Sequence, residues 1–142
     1  MELSKFDEIR PFEPNELPEV FDRLIADAQF RAVLGYLYPG VPTDAIAAKM
    51  RQCRTSLDFQ KAFCYGFLKD LLAKASTGCD MNVGAIDTAG RYTFVSNHRD
   101  IVLDSALLDM LLIDSGFTTT CEIAIGDNLL AAPWIKDFVR GS

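Results

Sequence analysis

The sequence predicts an α/β fold, with helices first and a strand–helix–strand–helix unit second. Two observations carry this expectation. Apolar residues recur at helical spacing through the first 78 positions. After Gly78 the period changes, and the β-branched and aromatic run Tyr92-Thr93-Phe94-Val95 is followed by a polar turn, a helical stretch and a second such run at Thr118–Ile125. The expected organisation is a helical region over residues 1–78, then the first βαβα unit of an α/β domain over residues 79–142.

In the helical region, Leu17, Val20, Phe21, Leu24 and Ile25 fall at i, i+3, i+4, i+7 and i+8, one apolar stripe. Asn15 is the expected N-cap, and Pro18 is tolerated because it lies within the first turn. Phe30, Val33, Leu34 and Leu37 repeat the pattern until Pro39-Gly40 breaks it, and Thr43 caps a short helix through Ala45–Met50. A long helix follows from about Ser56 to Ala75, capped by Thr55 or Ser56 and stopped by Gly78. Its expected buried face is Phe63, Phe67, Leu68, Leu71, Leu72 and Ala75.

In the second region, Met81–Ile86 reads as a short strand and Asp87–Gly90 as a turn. Tyr92–Val95 reads as a buried strand, Leu103–Ile113 as a mostly buried helix ending near Gly116, and Thr118–Ile125 as a second strand. Pro133 suits the first position of a last helix that carries Trp134, Ile135, Phe138 and Val139.

Composition narrows the function. With 142 residues, about half of them apolar and a quarter charged, the chain is globular and long enough for a real core. A net charge of −6, with fourteen basic residues scattered among twenty acidic ones, argues against nucleic acid and against a polybasic membrane anchor. Cys53, Cys64, Cys79 and Cys121 show no C-x-x-C spacing, which favours a reduced, cytoplasmic chain over a disulfide frame. The one His excludes a multi-histidine metal site, and no Cys cluster offers another. The start, Met-Glu-Leu-Ser-Lys-Phe, lacks the pattern of a signal peptide. Stretches such as Leu107–Ile113 are too short to cross a bilayer and are broken by Asp109, so the expected protein is soluble or at most peripheral to a membrane.

Chemistry is expected in the segment Ser96–Asp104. It follows a predicted strand and precedes a helix, where open α/β sheets place ligands. It holds the only His with Asp100, Asp104, Arg99 and Asn97. A His paired with a carboxylate serves as general base toward a hydroxyl, the Asp fixing the tautomer and stabilising the imidazolium that forms. By composition alone, a lone His beside an Asp is more often a structural hydrogen-bonder.

The run Phe94-Val95-Ser96-Asn97-His98-Arg99-Asp100-Ile101-Val102-Leu103-Asp104 resembles the first motif of the glycerol-phosphate and lysophosphatidic acid acyltransferases. In that family a hydrophobic strand ends in Asn-His and an Asp follows after four residues. The resemblance extends more loosely through Glu122–Asn128 and Pro133-Trp134-Ile135, covers roughly Met81 to Arg140, and for the helical front is similar only to a bacterial branch. It implies transfer of a fatty acyl group from an acyl-CoA or acyl carrier protein thioester to a lysophosphatidic acid or related glycerolipid hydroxyl. His98 would then be the base, with no cofactor beyond the acyl carrier, and contact with a membrane surface would be peripheral.

The chain departs from the pattern in two places. Five residues separate His98 from Asp104, and Leu103 stands where the family has Asp. At about 100° per residue, positions six apart lie on different helix faces, so the pair meets only if His98 sits in the turn. Asp104 is the favoured partner and Asp100 the competitor, whose other role is capping the next helix. Arg99 is the candidate contact for an acceptor phosphate and Asn97 for orienting the turn. The family's later phosphate-binding motifs, among them a Glu-Gly-Thr-Arg-like loop, are not in this sequence, which implies half a site, inactive by itself. A non-catalytic helical module that contacts an acyl carrier protein or a membrane is the alternative. A hydrolase fits less well, because Ser96 and Ser105 flank the site without a G-x-S-x-G elbow.

Overall fold

The computed structural model describes residues 4–100 and 103–142. Met1–Leu3, which opens the signal-peptide reading, and Ile101-Val102, inside the acyltransferase-like run, lie outside the described residues. The regular elements are helical: α1 (Leu17–Ala26), α2 (Ala28–Leu37), α3 (Thr43–Gln52), α4 (Ser56–Phe59), α5 (Gly66–Ala75), α6 (Leu103–Asp114) and α7 (Pro133–Gly141). A π-helical stretch, Gln60–Tyr65, joins α4 to α5, and short 3₁₀ turns occupy Ser4–Phe6 and Asp127–Leu129.

There is no strand and no sheet among the described residues, which overturns the expected α/β fold and its βαβα unit. Residues 91–100 and 120–126 are irregular chain, and Met81–Ile86 closes instead into a turn in which the Ile86 N–H donates to the Val83 carbonyl at 3.1 Å. The physical reason is that β-propensity describes a side chain's fit to a pleated, half-buried surface, whereas the ladder itself is non-local. Strands of a parallel unit are buried on both faces, yet Val95 is 92% exposed and Ile123 44%. The aromatic residues that suggest a strand pack on one another instead. Tyr92, Phe94 and Phe117 form a triangle with ring centroids 6.2, 6.3 and 6.4 Å apart.

The chain forms two compact units, one of residues up to Ala62 with Ala124–Ser142, the other Phe63–Ile123. In the first unit, Leu17, Val20, Phe21 and Leu24 of α1 are all buried, as their spacing predicts. Helices α2, α3 and α7 pack around this stripe. Phe21 stacks on Phe59 with centroids 5.3 Å apart, and Phe138 of α7 meets Phe59 edge-on at 5.8 Å. Arg23 on α1 grips Asp137 on α7 through two hydrogen bonds of 2.9 and 3.0 Å. The Trp134 indole N–H donates to Gln29 at 2.9 Å, so Trp134 is half-buried between helices. Pro133 opens α7, as expected of an N1 residue.

Helix caps differ from expectation in instructive ways. Residue Glu16, not Asn15, precedes α1, and its carboxylate accepts from both arms of Arg10, at 2.7 and 3.0 Å, and from the Glu13 N–H. The Arg10 guanidinium first, then the Glu13 amide, hold the Glu16 carboxyl down at about 2. Pro42 rather than Thr43 precedes α3. Thr55 does cap α4, in a reciprocal box with Asp58. The π-helical stretch that follows takes up one more residue per turn and shifts the apolar face downstream. Phe67 is therefore 46% exposed while Leu68 is buried.

In the second unit, α5 packs on α6. The Tyr65 hydroxyl and the Lys69 ammonium both donate to Asp114. Helix α6 ends as the glycine predicts. Gly116, at φ +90°, lets its own N–H reach the Ile113 carbonyl and the Phe117 N–H reach that of Leu112, a Schellman motif. Asp109 lies half-buried in α6 and accepts from the Cys121 N–H at 2.8 Å, which ties the following segment back to the helix. Burial pushes its carboxyl up to about 6, the Cys121 amide opposing.

Two outcomes follow from this unit. Gly116→Ala places a Cβ in a left-handed conformation and should lower stability by about 1 kcal/mol in urea unfolding, with Gly116→Asn costing less. Asp109 holds its proton more tightly folded than unfolded, so its contribution is complete below about pH 4. That contribution is lost as pH rises to about 6. Asp109→Asn keeps the acceptor for Cys121 and should remove this slope, gaining on the order of 1 kcal/mol at pH 7 after allowing for the group's partial contact with water. Urea midpoints measured from pH 4 to 7 read both effects.

Candidate functional site

The residues singled out in the sequence come together in one turn and one helix start. Residues 91–100 are exposed irregular chain, so Asn97, His98, Arg99 and Asp100 all stand open to solvent ahead of α6. His98 therefore sits in the turn, the one placement that frees the pair from helical phase. Asp104 is the second residue of α6 as described.

Side chains on a helix lean toward its N-terminus. The Asp104 carboxylate accordingly reaches back along the chain. Its Oδ2 accepts from the Arg99 N–H at 2.6 Å and from the Asp100 N–H at 2.9 Å. The same oxygen lies 3.4 Å from His98 Nδ1. Two backbone amides thus donate to one oxygen, and the imidazole lies beside it. The carboxyl is held below its ordinary range, first by the Asp100 amide, then by that of Arg99, with His98 and Arg99 adding charge.

Asp100 is engaged elsewhere. Its Oδ1 accepts from the Leu103 N–H at 2.8 Å, and its carbonyl accepts from the Asp104 N–H at 3.5 Å. Of the two carboxylates left open by the sequence, Asp104 faces the imidazole and Asp100 faces the helix end. The His98 side chain is 67% exposed and that of Asp104 30%. With Nδ1 turned to the carboxylate, Nε2 is the nitrogen left to take a proton from an incoming hydroxyl. Arg99 is exposed on the same turn, within electrostatic reach of Asp104.

Sequence reading overlooked two other polar groupings of the second unit. One is Asp114 with Tyr65 and Lys69, where the carboxylate pushes the Tyr65 hydroxyl up and makes it a poor nucleophile. The other is Asp109, whose charge adds to burial in raising the thiols of Cys64, pushed up to about 11, and Cys121. Its signal was a carboxylate inside the apolar run Leu107–Ile113, a polar group in a place where burial demands a partner. All four cysteines are free. No group of three or more His, Cys, Asp or Glu suited to a metal occurs among the described residues, and no helix among them is long and apolar enough to cross a membrane.

A hollow of the first unit, lined by Lys49, Gln52, Cys53, Asp58, Lys61 and Ala62, contains none of the residues singled out. The candidate site is therefore the exposed stretch Asn97–Asp100 together with Asp104 of α6. Comparison with protein-family models, with curated proteins and with solved structures finds no match.

Proposed function

We propose that His98 is a general base toward a hydroxyl and that the reaction it serves is acyl transfer. The observation that supports this most directly is the approach of His98 Nδ1 to within 3.4 Å of an Asp104 oxygen that two backbone amides hold in place. An ionised carboxylate there favours the Nδ1–H tautomer and stabilises the imidazolium formed when Nε2 takes the proton. The deprotonated hydroxyl then attacks the carbonyl of an acyl thioester, forming an ester and releasing the thiol. No serine nucleophile is required.

The likeness of Asn97-His98 to the acyltransferase motif supplies the substrate class: an acyl-CoA or acyl carrier protein thioester as donor, and lysophosphatidic acid or a related glycerolipid as acceptor. Arg99 is the group that meets the acceptor phosphate, and Asn97 orients the turn. The four free thiols fit a cytoplasmic setting, and a lipid acceptor brings the protein to a membrane surface.

A second reading is a non-catalytic helical module that binds an acyl carrier protein or a membrane. The observation in its favour is that the regular elements among the described residues are all helical, with Phe67 of α5 46% exposed.

Acyl transfer from a radiolabelled thioester to lysophosphatidic acid, assayed in the full-length gene product, separates the two. His98→Ala should lower kcat by roughly 10²–10⁴-fold, the usual worth of a general base. Asp104→Asn should lower it less, with the fold preserved. Near-normal turnover in His98→Ala would sink the catalytic reading, and binding of acyl carrier protein that Phe67→Ala abolishes would then favour the module.

A further inference from the structure

We infer that Asp109 of α6 and the Cys121 N–H form a pH-sensitive latch: the protonated carboxyl holds residues 118–123 against the helix, and the ionised carboxylate lets them open into water. Neither residue belongs to the His98 site, so the latch stands apart from the reading of that site.

The contact is a clasp between residues twelve positions apart. Helix α6 ends in the Schellman turn at Gly116, so the chain beyond it leaves from a fixed point. Residues 118, 119, 122 and 123 are exposed irregular chain, whereas Cys121 is half-buried where its N–H donates to Asp109 at 2.8 Å. A segment with so little buried surface opens far more readily than the helix beneath it unfolds. Asp109 itself is half-buried, in a run whose Met110 and Leu112 are buried.

A charge is costly in such a place, and a neutral carboxyl much less so. Closing the latch on a carboxylate takes the charge out of water, and opening returns it. The Cys121 amide offsets part of that cost, but burial outweighs it and pushes the carboxyl up to about 6. The titratable groups beside it bring no charge of their own between pH 4 and 7. From the π-helical stretch comes the Cys64 thiol, pushed up to about 11, and from the segment itself the Cys121 thiol, also raised by burial. Tyr65 of that stretch and Lys69 of α5 turn to Asp114 instead. Asp109 thus binds its proton more tightly closed than open. The closed form is favoured below about pH 4, the ordinary Asp range. It loses ground as pH rises to about 6.

Hydrogen exchange of the Cys121 amide in the whole chain, followed by NMR from pH 4 to 7, tests the latch. Dividing each rate by that of the same amide in an unstructured peptide removes the pH dependence of exchange itself. The opening so measured should increase about tenfold over this range. Two pH units allow about a hundredfold, and the partial contact of Asp109 with water reduces it. Asp109→Asn keeps an acceptor and cannot ionise, so its opening should stay low and flat with pH. Asp109→Ala removes the acceptor, so its opening should be high and flat. The asparagine variant carries the test where the alanine variant fails to fold. The Met110 amide, inside α6, reads unfolding of the helix and should be better protected than that of Cys121 at every pH.

An opening at Cys121 that does not change with pH in the wild-type chain overturns the inference. A pH dependence that persists in Asp109→Asn does the same. So does exchange at Cys121 no faster than at Met110, which would make the event unfolding of the helix rather than release of the segment.

Discussion

A backbone N–H that is not paired in a helix or a sheet still needs an acceptor, and between Ser76 and Cys121 side-chain oxygens supply it. Asn82 takes the amide of Gly84, Asp87 that of Ala89, Asp104 those of Arg99 and Asp100, Asp100 that of Leu103, and Asp109 that of Cys121. The Tyr92 hydroxyl takes the Asp87 amide. Much of the second unit's irregular chain is given its course by these short polar side chains. The candidate site is one instance of the same device. The carboxylate that lies 3.4 Å from His98 Nδ1 is also the one that terminates two loose amides, so one oxygen serves both.

The first unit is held in a different way. Its organising element is the buried stripe of α1, against which the aromatic rings of Phe59 and Phe138 close. Around the rim, charged groups fix register rather than supply much stability: Arg23 with Asp137, and Arg51 with Asp22. Arg140 has another task. Its guanidinium lies 4.0 Å from the centre of the Phe12 ring and donates to the carbonyls of Asp7 and Arg10, fastening the entry segment to the last helix.

How much of this is legible in the sequence follows from the range of each interaction. The α1 stripe, the Thr55 cap, Pro133 at the head of α7 and Gly116 past the end of α6 are all readable, because each depends on neighbours within a turn or two. The strands at Tyr92–Val95 and Thr118–Ile125 are not. Their composition reports a local preference, and no local pattern shows that Phe117 will receive the rings of Tyr92 and Phe94 in place of a ladder. The apolar face of Ser56–Ala75 is misplaced at Phe67 because a π-helical stretch, invisible in a 3.6-residue period, intervenes. At the site, His98, Asp104 and Asp100 are all legible as candidates. What spacing leaves open is which carboxylate turns to the imidazole, and this is decided by the backward lean of a helical side chain and by two amides that any residue type would have provided.

The first unit is assembled from two separate stretches of chain, with residues 63–123 lying between them in sequence. The entropy of closing a loop grows only logarithmically with its length, about 0.6 kcal/mol for each doubling. The packing of α1 against α7 is therefore nearly indifferent to how many residues the intervening stretch holds. The segment that carries His98 can therefore lengthen or shorten at little cost in loop entropy to the helices that precede and follow it.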